Sequence, residues 1–284
     1  MKTIYHFSGA GNDFVVIDGR EGDVSAFREV PRIGALCKQY KTDGLMILGM
    51  PGQAGHDDGS TGLATVMADP DRPSVDFTME FYNPDGSGGM MCGNGGRCIV
   101  AFADYLGIRP SSGGVFLFMA PDGLHTGEIL ERPEDGLWTV RIKMIDVQGI
   151  APMLGGYFLN TGTRHFVKFV DDVEQVDVDA EGKALRWNEA FAPVGTNVNF
   201  VHVAPDGLHV RTFEKGVEGE TLACGTGLTA CALVAHHAGV PTATPGAYRL
   251  RARQDWLSVD FTPRADEKFT DVYLTGPARL VEIH

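Results

Sequence analysis

Met91-Cys92-Gly93-Asn94-Gly95-Gly96 and Ala223-Cys224-Gly225-Thr226-Gly227 are two versions of one pattern, a Cys-Gly-polar-Gly run that opens an apolar, helix-like stretch. Backbone N–H groups at a helix start lack intrahelical partners, and the helix dipole adds positive potential there. Such a start favours a thiolate over a thiol and binds a carboxylate. The glycines let the backbone come close to a ligand. One such loop is a weak signal, because Gly-rich turns with a chance cysteine are common; two at equivalent places are a strong one. Removing and replacing a proton at one carbon with inversion needs an acid and a base on opposite faces of that carbon. A pair of equivalent thiols supplies both, so the residues point to a racemase or epimerase.

Outward from the cysteines, further landmarks recur in the same order. Gly11-Asn12-Asp13-Phe14-Val15-Val16 is echoed loosely by Gly162-Thr163-Arg164-His165-Phe166-Val167, and Thr42-Asp43-Gly44-Leu45-Met46-Ile47 by Thr196-Asn197-Val198-Asn199-Phe200-Val201. Asn83-Pro84-Asp85-Gly86 lies shortly before Cys92, as Glu214-Lys215-Gly216 does before Cys224. The period is the length of a domain, not of a solenoid repeat. Two like domains are expected.

Strands dominate. Residues 75–81, 138–143 and 257–261 alternate apolar and polar side chains, the period of a half-buried strand. Pro-Asp-Gly at 84–86, 121–123 and 205–207 supplies turns. Residues 97–106 and 228–237 are apolar almost all round, which predicts a buried central helix in each domain, stopped by Gly107 and Gly239. The Gly-, Asp- and Pro-rich segment 52–72 reads as a surface loop.

With 284 residues, 43% of them hydrophobic and 21% charged, the chain can build two ordinary cores. The formal net charge of -13 opposes binding to nucleic acid or to anionic lipid. A small-molecule partner fits better. Neither a signal peptide nor an apolar run of membrane-spanning length is evident, so a cytoplasmic location is expected. The 5 cysteines are too sparse for a disulfide framework. Cys98 and Cys231 fall inside the helical stretches and read as packing residues. No Cys-x-x-Cys or His-containing ligand pair is present, so no metal site is expected, and a redox pair is disfavoured on the same ground. Asn12, Asn83, Asn94 and Asn197 stand in loops where their amides can hold carboxylate and ammonium groups. Glu214 can bind an ammonium or act on a thiol, and His165 can help ionise a cysteine.

Taken together, Gly-x-Gly-Asn-Asp-Phe at 9–14, Asn-x-Asp-Gly at 83–86, Cys-Gly-Asn-Gly-x-Arg-Cys at 92–98, Gly-Glu-Thr-x-Ala-Cys-Gly-Thr-Gly at 219–227 and Gly-Pro-Ala at 276–278 resemble the diaminopimelate epimerase family along the whole chain. The resemblance implies an α+β fold of two pseudo-symmetric, strand-rich, barrel-like domains, each around a central helix, with the substrate in the cleft. The first would span 1–122, completed by the C-terminal strand 277–284, and the second 123–276. It implies epimerisation of LL-diaminopimelate to the meso isomer for lysine and peptidoglycan synthesis, without pyridoxal phosphate or another cofactor, by a cytoplasmic homodimer. In this resemblance Cys92 and Cys224 are the acid–base thiols, assisted by His165 and Glu214. Gly93, Asn94, Gly225 and Thr226 hold the reacting carboxylate, and Asn12, Asn83, Thr163, Asn197, Glu214 and Lys215 contact the substrate. Two departures bear on specificity. The family commonly has Gly-Asn-Pro-His where this chain has Gly162-Thr163-Arg164-His165, and Glu-Arg-Gly where it has Glu214-Lys215-Gly216. Both fall where the non-reacting end of the substrate is held, and lysine lacks arginine's two-pronged grip. Arg164 could supply the guanidinium. A racemase of the same fold acting on a basic amino acid or a proline derivative is the alternative enzyme reading, and a binding protein without thiol chemistry is the reading from another class.

Overall fold

The computed structural model describes residues 2–52, 74–88 and 91–284. Apart from Gly52, the expected surface loop 52–72 lies outside the described residues. The chain divides into two compact units, Met1–Ile142 with Pro277–His284, and Lys143–Gly276.

In the first unit, β1 (Ile4–Gly9), β2 (Asn12–Asp18), β3 (Gly44–Gly49), β4 (Phe77–Tyr82), β5 (Val115–Ala120), β6 (Gly123–Glu134) and β7 (Leu137–Lys143) neighbour one another in chain order. The C-terminal part of the last strand closes the ring. Leu280 N–H donates to the carbonyl of Gly136, beside β7, while residues 279–283 pair antiparallel with β1. A barrel leaves no open edge. The parallel pairs β2–β3 and β4–β5 need crossovers. Helices α1 (Val30–Tyr40) and α2 (Gly93–Tyr105) provide them. Of these, α2 is buried from Gly93 through Ala103 and packs on β1, β2, β3 and β6.

The second unit repeats the plan. After β8 (Ala151–Met153) come β9 (Gly156–Asn160), β10 (Arg164–Phe169), β11 (Asn197–Ala204), β12 (Gly207–Glu214), β13 (Gly219–Thr221), β14 (Ala247–Arg251), β15 (Trp256–Pro263) and β16 (Phe269–Ile283), whose residues 269–276 belong here. The sheet runs β16, β15, β14, β12, β11, β10, β9, β8, with the short β13 on β12. The parallel pairs are β10–β11, crossed by α3 (Val178–Arg186), and β12–β14, crossed by α4 (Gly225–His237). Pairing sense and helix position therefore match the first unit strand for strand. Like α2, α4 is central; it packs on β9, β10, β11, β12, β14 and β15.

Both central helices begin one residue after a cysteine, earlier than the apolar runs alone mark, because the glycine-rich turns are themselves helical. Gly107 and Gly239 end them in the left-handed conformation, at φ 75 and 73. Pro121-Asp122 and Pro205-Asp206 are the two-residue turns of the β5–β6 and β11–β12 hairpins. The expected α+β, two-barrel-like architecture is thus the observed one. The border between the units differs from the 122/123 division, which falls in the tight turn of a hairpin whose second strand, β6, goes on to pair with β7. Among the described residues, no helix is long and apolar enough to cross a membrane.

Candidate active site

Each unit carries one cysteine at the N-cap of its central helix. In the first, Cys92 caps α2 with extended backbone, and the first helical bond runs from Gly96 N–H to the Cys92 carbonyl at 2.6 Å. The N–H groups of Gly93, Asn94 and Gly95 lie before that bond and point out of the helix start. Gly9, at the end of β1, sits on this start. A Cβ there would stand 2.8 Å from the Asn94 carbonyl oxygen and 2.9 Å from Cys98 Sγ, so only glycine allows the hairpin so close.

A buried polar chain holds this loop. Arg97, fully buried, donates through Nη2 to Asn94 Oδ1 at 2.9 Å, through Nη1 to the Gly93 carbonyl and through Nε to the Pro277 carbonyl, both at 3.3 Å. Asn94 Nδ2 donates in turn to Asn12 Oδ1, and Asn12 Nδ2 to Asp43 Oδ2 at 3.2 Å. The side chain of Asn94 is thereby engaged within the protein. Asn83 closes its own turn, donating to Ser87 Oγ at 3.0 Å. Cys98 is wholly buried, and that burial pushes its thiol up, which suits a packing residue.

In the second unit Cys224 caps α4 in the same way, and Leu228 N–H donates to its carbonyl at 2.8 Å. Its sulfur lies 3.5 Å from Thr226 Oγ1. Thr226 Oγ1 is 3.0 Å from His165 Nε2, and its backbone carbonyl accepts from Thr161 Oγ1 at 2.9 Å. His165 is fully buried, and burial pushes it from the ordinary 6.5 down to about 3. It is a neutral ring at any physiological pH. Its Nδ1 faces Asn199 Nδ2 at 3.1 Å. Glu214 accepts from Thr221 Oγ1 at 3.0 Å.

The substrate-contact candidates divide. Asn197 donates to the Arg164 carbonyl at 2.9 Å and to Thr163 Oγ1 at 3.3 Å, and accepts the Lys215 N–H at 2.8 Å. It latches together the segments that carry Thr163 and Lys215. The guanidinium of Arg164 is committed elsewhere, donating to the Phe191 carbonyl at 3.2 Å and lying 5.1 Å from the centre of the Phe158 ring. Among the described residues, the Lys215 ammonium forms no ion pair. Arg97, Asp43, Thr161 and Asn199 were not singled out by sequence reasoning. For Asn199 a signal existed, since it is a polar residue two positions after Asn197 in a strand whose alternate residues, Val198 and Phe200, are apolar.

Residues 157–281 match the family described as "Diaminopimelate epimerase". The diaminopimelate epimerase of Chlorobaculum tepidum is 38% identical over 283 residues, covering 96% of this chain and 97% of that protein. That of Aquifex aeolicus is 37% identical, covering 96% and 93%. Among solved structures, the phenazine biosynthesis protein of the PhzF family from Bacillus anthracis superposes with a TM-score of 0.72 at 11% identity, covering 100% of this chain and 98% of that one. At such low identity the likeness is one of fold alone.

Proposed function

This chain belongs to the diaminopimelate epimerase family, and on that premise we propose that it interconverts LL- and meso-diaminopimelate, using Cys92 and Cys224 as acid and base. The observation that carries the reading is the duplication: one cysteine N-cap on one buried central helix in each unit, in a chain whose full-length relatives are named for this reaction. One thiolate takes the proton from the reacting carbon while the other thiol returns a proton to the opposite face, so the product leaves with inverted configuration and the thiols exchange roles. The N–H groups that precede the first intrahelical bond at the two helix starts supply donors for the reacting carboxylate, whose oxygens gain negative charge as the proton leaves. His165 acts as a neutral hydrogen-bonding group and not as a proton acceptor, because burial holds it far below physiological pH.

Lys215 is the side chain that supports recognition of the distal carboxylate, and Arg164 is not. The product feeds lysine and peptidoglycan synthesis, and the enzyme acts in this reading as a cytoplasmic homodimer. Incubating the purified protein with LL-diaminopimelate, lysine, histidine and proline, and resolving the enantiomers, tests the substrate. Conversion of diaminopimelate far ahead of the others is expected. Lysine or histidine racemised as fast would leave the fold intact and overturn the substrate.

A further inference from the structure

We infer that Asn199 is a positioning residue for the thiol chemistry: it fixes which nitrogen of His165 carries the proton, and through Thr226 it aims a hydroxyl proton at the Cys224 sulfur. This rests on the proposed role of Cys224 as an acid–base group, though the tautomer is a property of the resting protein.

The direction of the bonds follows from the Phe166 carbonyl at one end, which only accepts, and, once Cys224 is ionised, from its thiolate at the other. Asn199 Nδ2 lies 3.0 Å from the Phe166 carbonyl, which only accepts, so that atom is the amide nitrogen and a donor. In that orientation Asn199 Oδ1 accepts from Thr212 Oγ1 at 2.9 Å. The second Nδ2 hydrogen faces His165 Nδ1 at 3.1 Å, so Nδ1 is the acceptor. A neutral imidazole with a lone pair on Nδ1 carries its single hydrogen on Nε2. That hydrogen is donated to Thr226 Oγ1 at 3.0 Å. With its oxygen already accepting, the Thr226 hydroxyl turns its own hydrogen onto Cys224 Sγ, 3.5 Å away, where it stabilises the thiolate left when Cys224 gives up its proton.

Packing keeps the chain in register. Asn199, His165 and Phe166 are fully buried, so bulk water does not compete for the bonds among them. The helix start lies directly on the amide: a Cβ on Gly227 would stand 2.4 Å from Asn199 Oδ1 and 3.4 Å from Cys224 Sγ. Glycine at 227 is therefore required for the relay as well as for the loop.

The test uses the intact protein without substrate, labelled with 15N-histidine. Long-range proton–nitrogen correlation should show His165, assigned by its loss in His165→Gln, as the Nε2–H tautomer and unchanged between about pH 5 and 8. Asn199→Asp puts an acceptor opposite Nδ1 and should move the proton to that nitrogen. An Nδ1–H ring in the wild type, or an unmoved proton in Asn199→Asp, overturns the inference whether or not the protein epimerises diaminopimelate. In the epimerase assay, Asn199→Asp and Thr226→Val should each lower kcat about tenfold or more with KM changed less than about threefold. The double variant should be no worse than Thr226→Val, whereas independent structural damage would multiply the losses. If Asn199→Asp does not fold, the wild-type tautomer and the rescue of kcat in Thr226→Ser over Thr226→Val decide the matter.

Discussion

Acidification should destabilise this protein through His165, by an amount the structure sets. The fully buried ring titrates at about 3 when folded, against 6.5 in an exposed chain. A folded-state pKa lowered in this way means that the stability present above pH 6.5 falls as pH drops, because the unfolded chain takes up a proton that the folded one refuses. The slope is about 1.4 kcal/mol per pH unit for a single group. Across the whole window down to about pH 3 the loss is on the order of 5 kcal/mol, a large share of the roughly 5–15 kcal/mol that holds a domain folded. Asp104, held below the usual carboxylate range by hydrogen bonds from Arg132, is also lost in acid, but equally in wild type and variant. Urea unfolding followed by circular dichroism should be run on wild type and His165→Gln between pH 7 and 4. The variant begins less stable, since it loses packing, yet its stability should decline less steeply, by about 1.4 kcal/mol per unit below pH 6. Parallel curves would refute the buried, neutral state of His165 and the hydrogen-bond directions that depend on it.

Lys215→Ala should raise KM for LL-diaminopimelate about tenfold while lowering kcat much less, since a contact to the distal carboxylate is equal in ground and transition states; Lys215→Arg should keep or improve affinity. Arg164→Met should leave KM within about twofold and cost about 1 kcal/mol in denaturant unfolding, because its guanidinium serves Phe191 and Phe158. Gly9→Ala should destabilise the protein by about 1–3 kcal/mol and lower the melting temperature, as its methyl group meets the backbone of Asn94 and the sulfur of Cys98. A melting temperature unchanged in that variant would count against the close approach of β1 to α2.

The parts of the fold legible in the sequence are those written in local pattern. The alternation in 138–143 and 257–261 is that of β7 and β15, and Pro-Asp-Gly marks two hairpins. The duplicated cysteine runs mark both central helices. Helices α1 and α3 were not foreseen, although they complete the symmetry, because each has one apolar stripe among polar residues and earns no signal as strong as an all-round apolar run. The long hairpin of β6 and β7 belongs with the first unit through pairing alone, which composition does not reveal. At the site, the cysteines, His165 and Glu214 could be named from motif and resemblance. The partners that orient them could not, since Asn94 meets Asn12 and Asn199 meets His165 only once distant segments pair in register.

The central claim is that Cys92 and Cys224 together invert the reacting carbon of diaminopimelate. Its most direct test follows LL-diaminopimelate in deuterated water by chiral separation and mass spectrometry, with wild type, Cys92→Ala and Cys224→Ala. The wild type should yield meso product carrying one deuteron at the inverted carbon, and each alanine variant should lose epimerisation altogether, because neither thiol can serve the other's face. Near-normal turnover in either variant, or meso product without deuterium, would contradict the two-thiol mechanism.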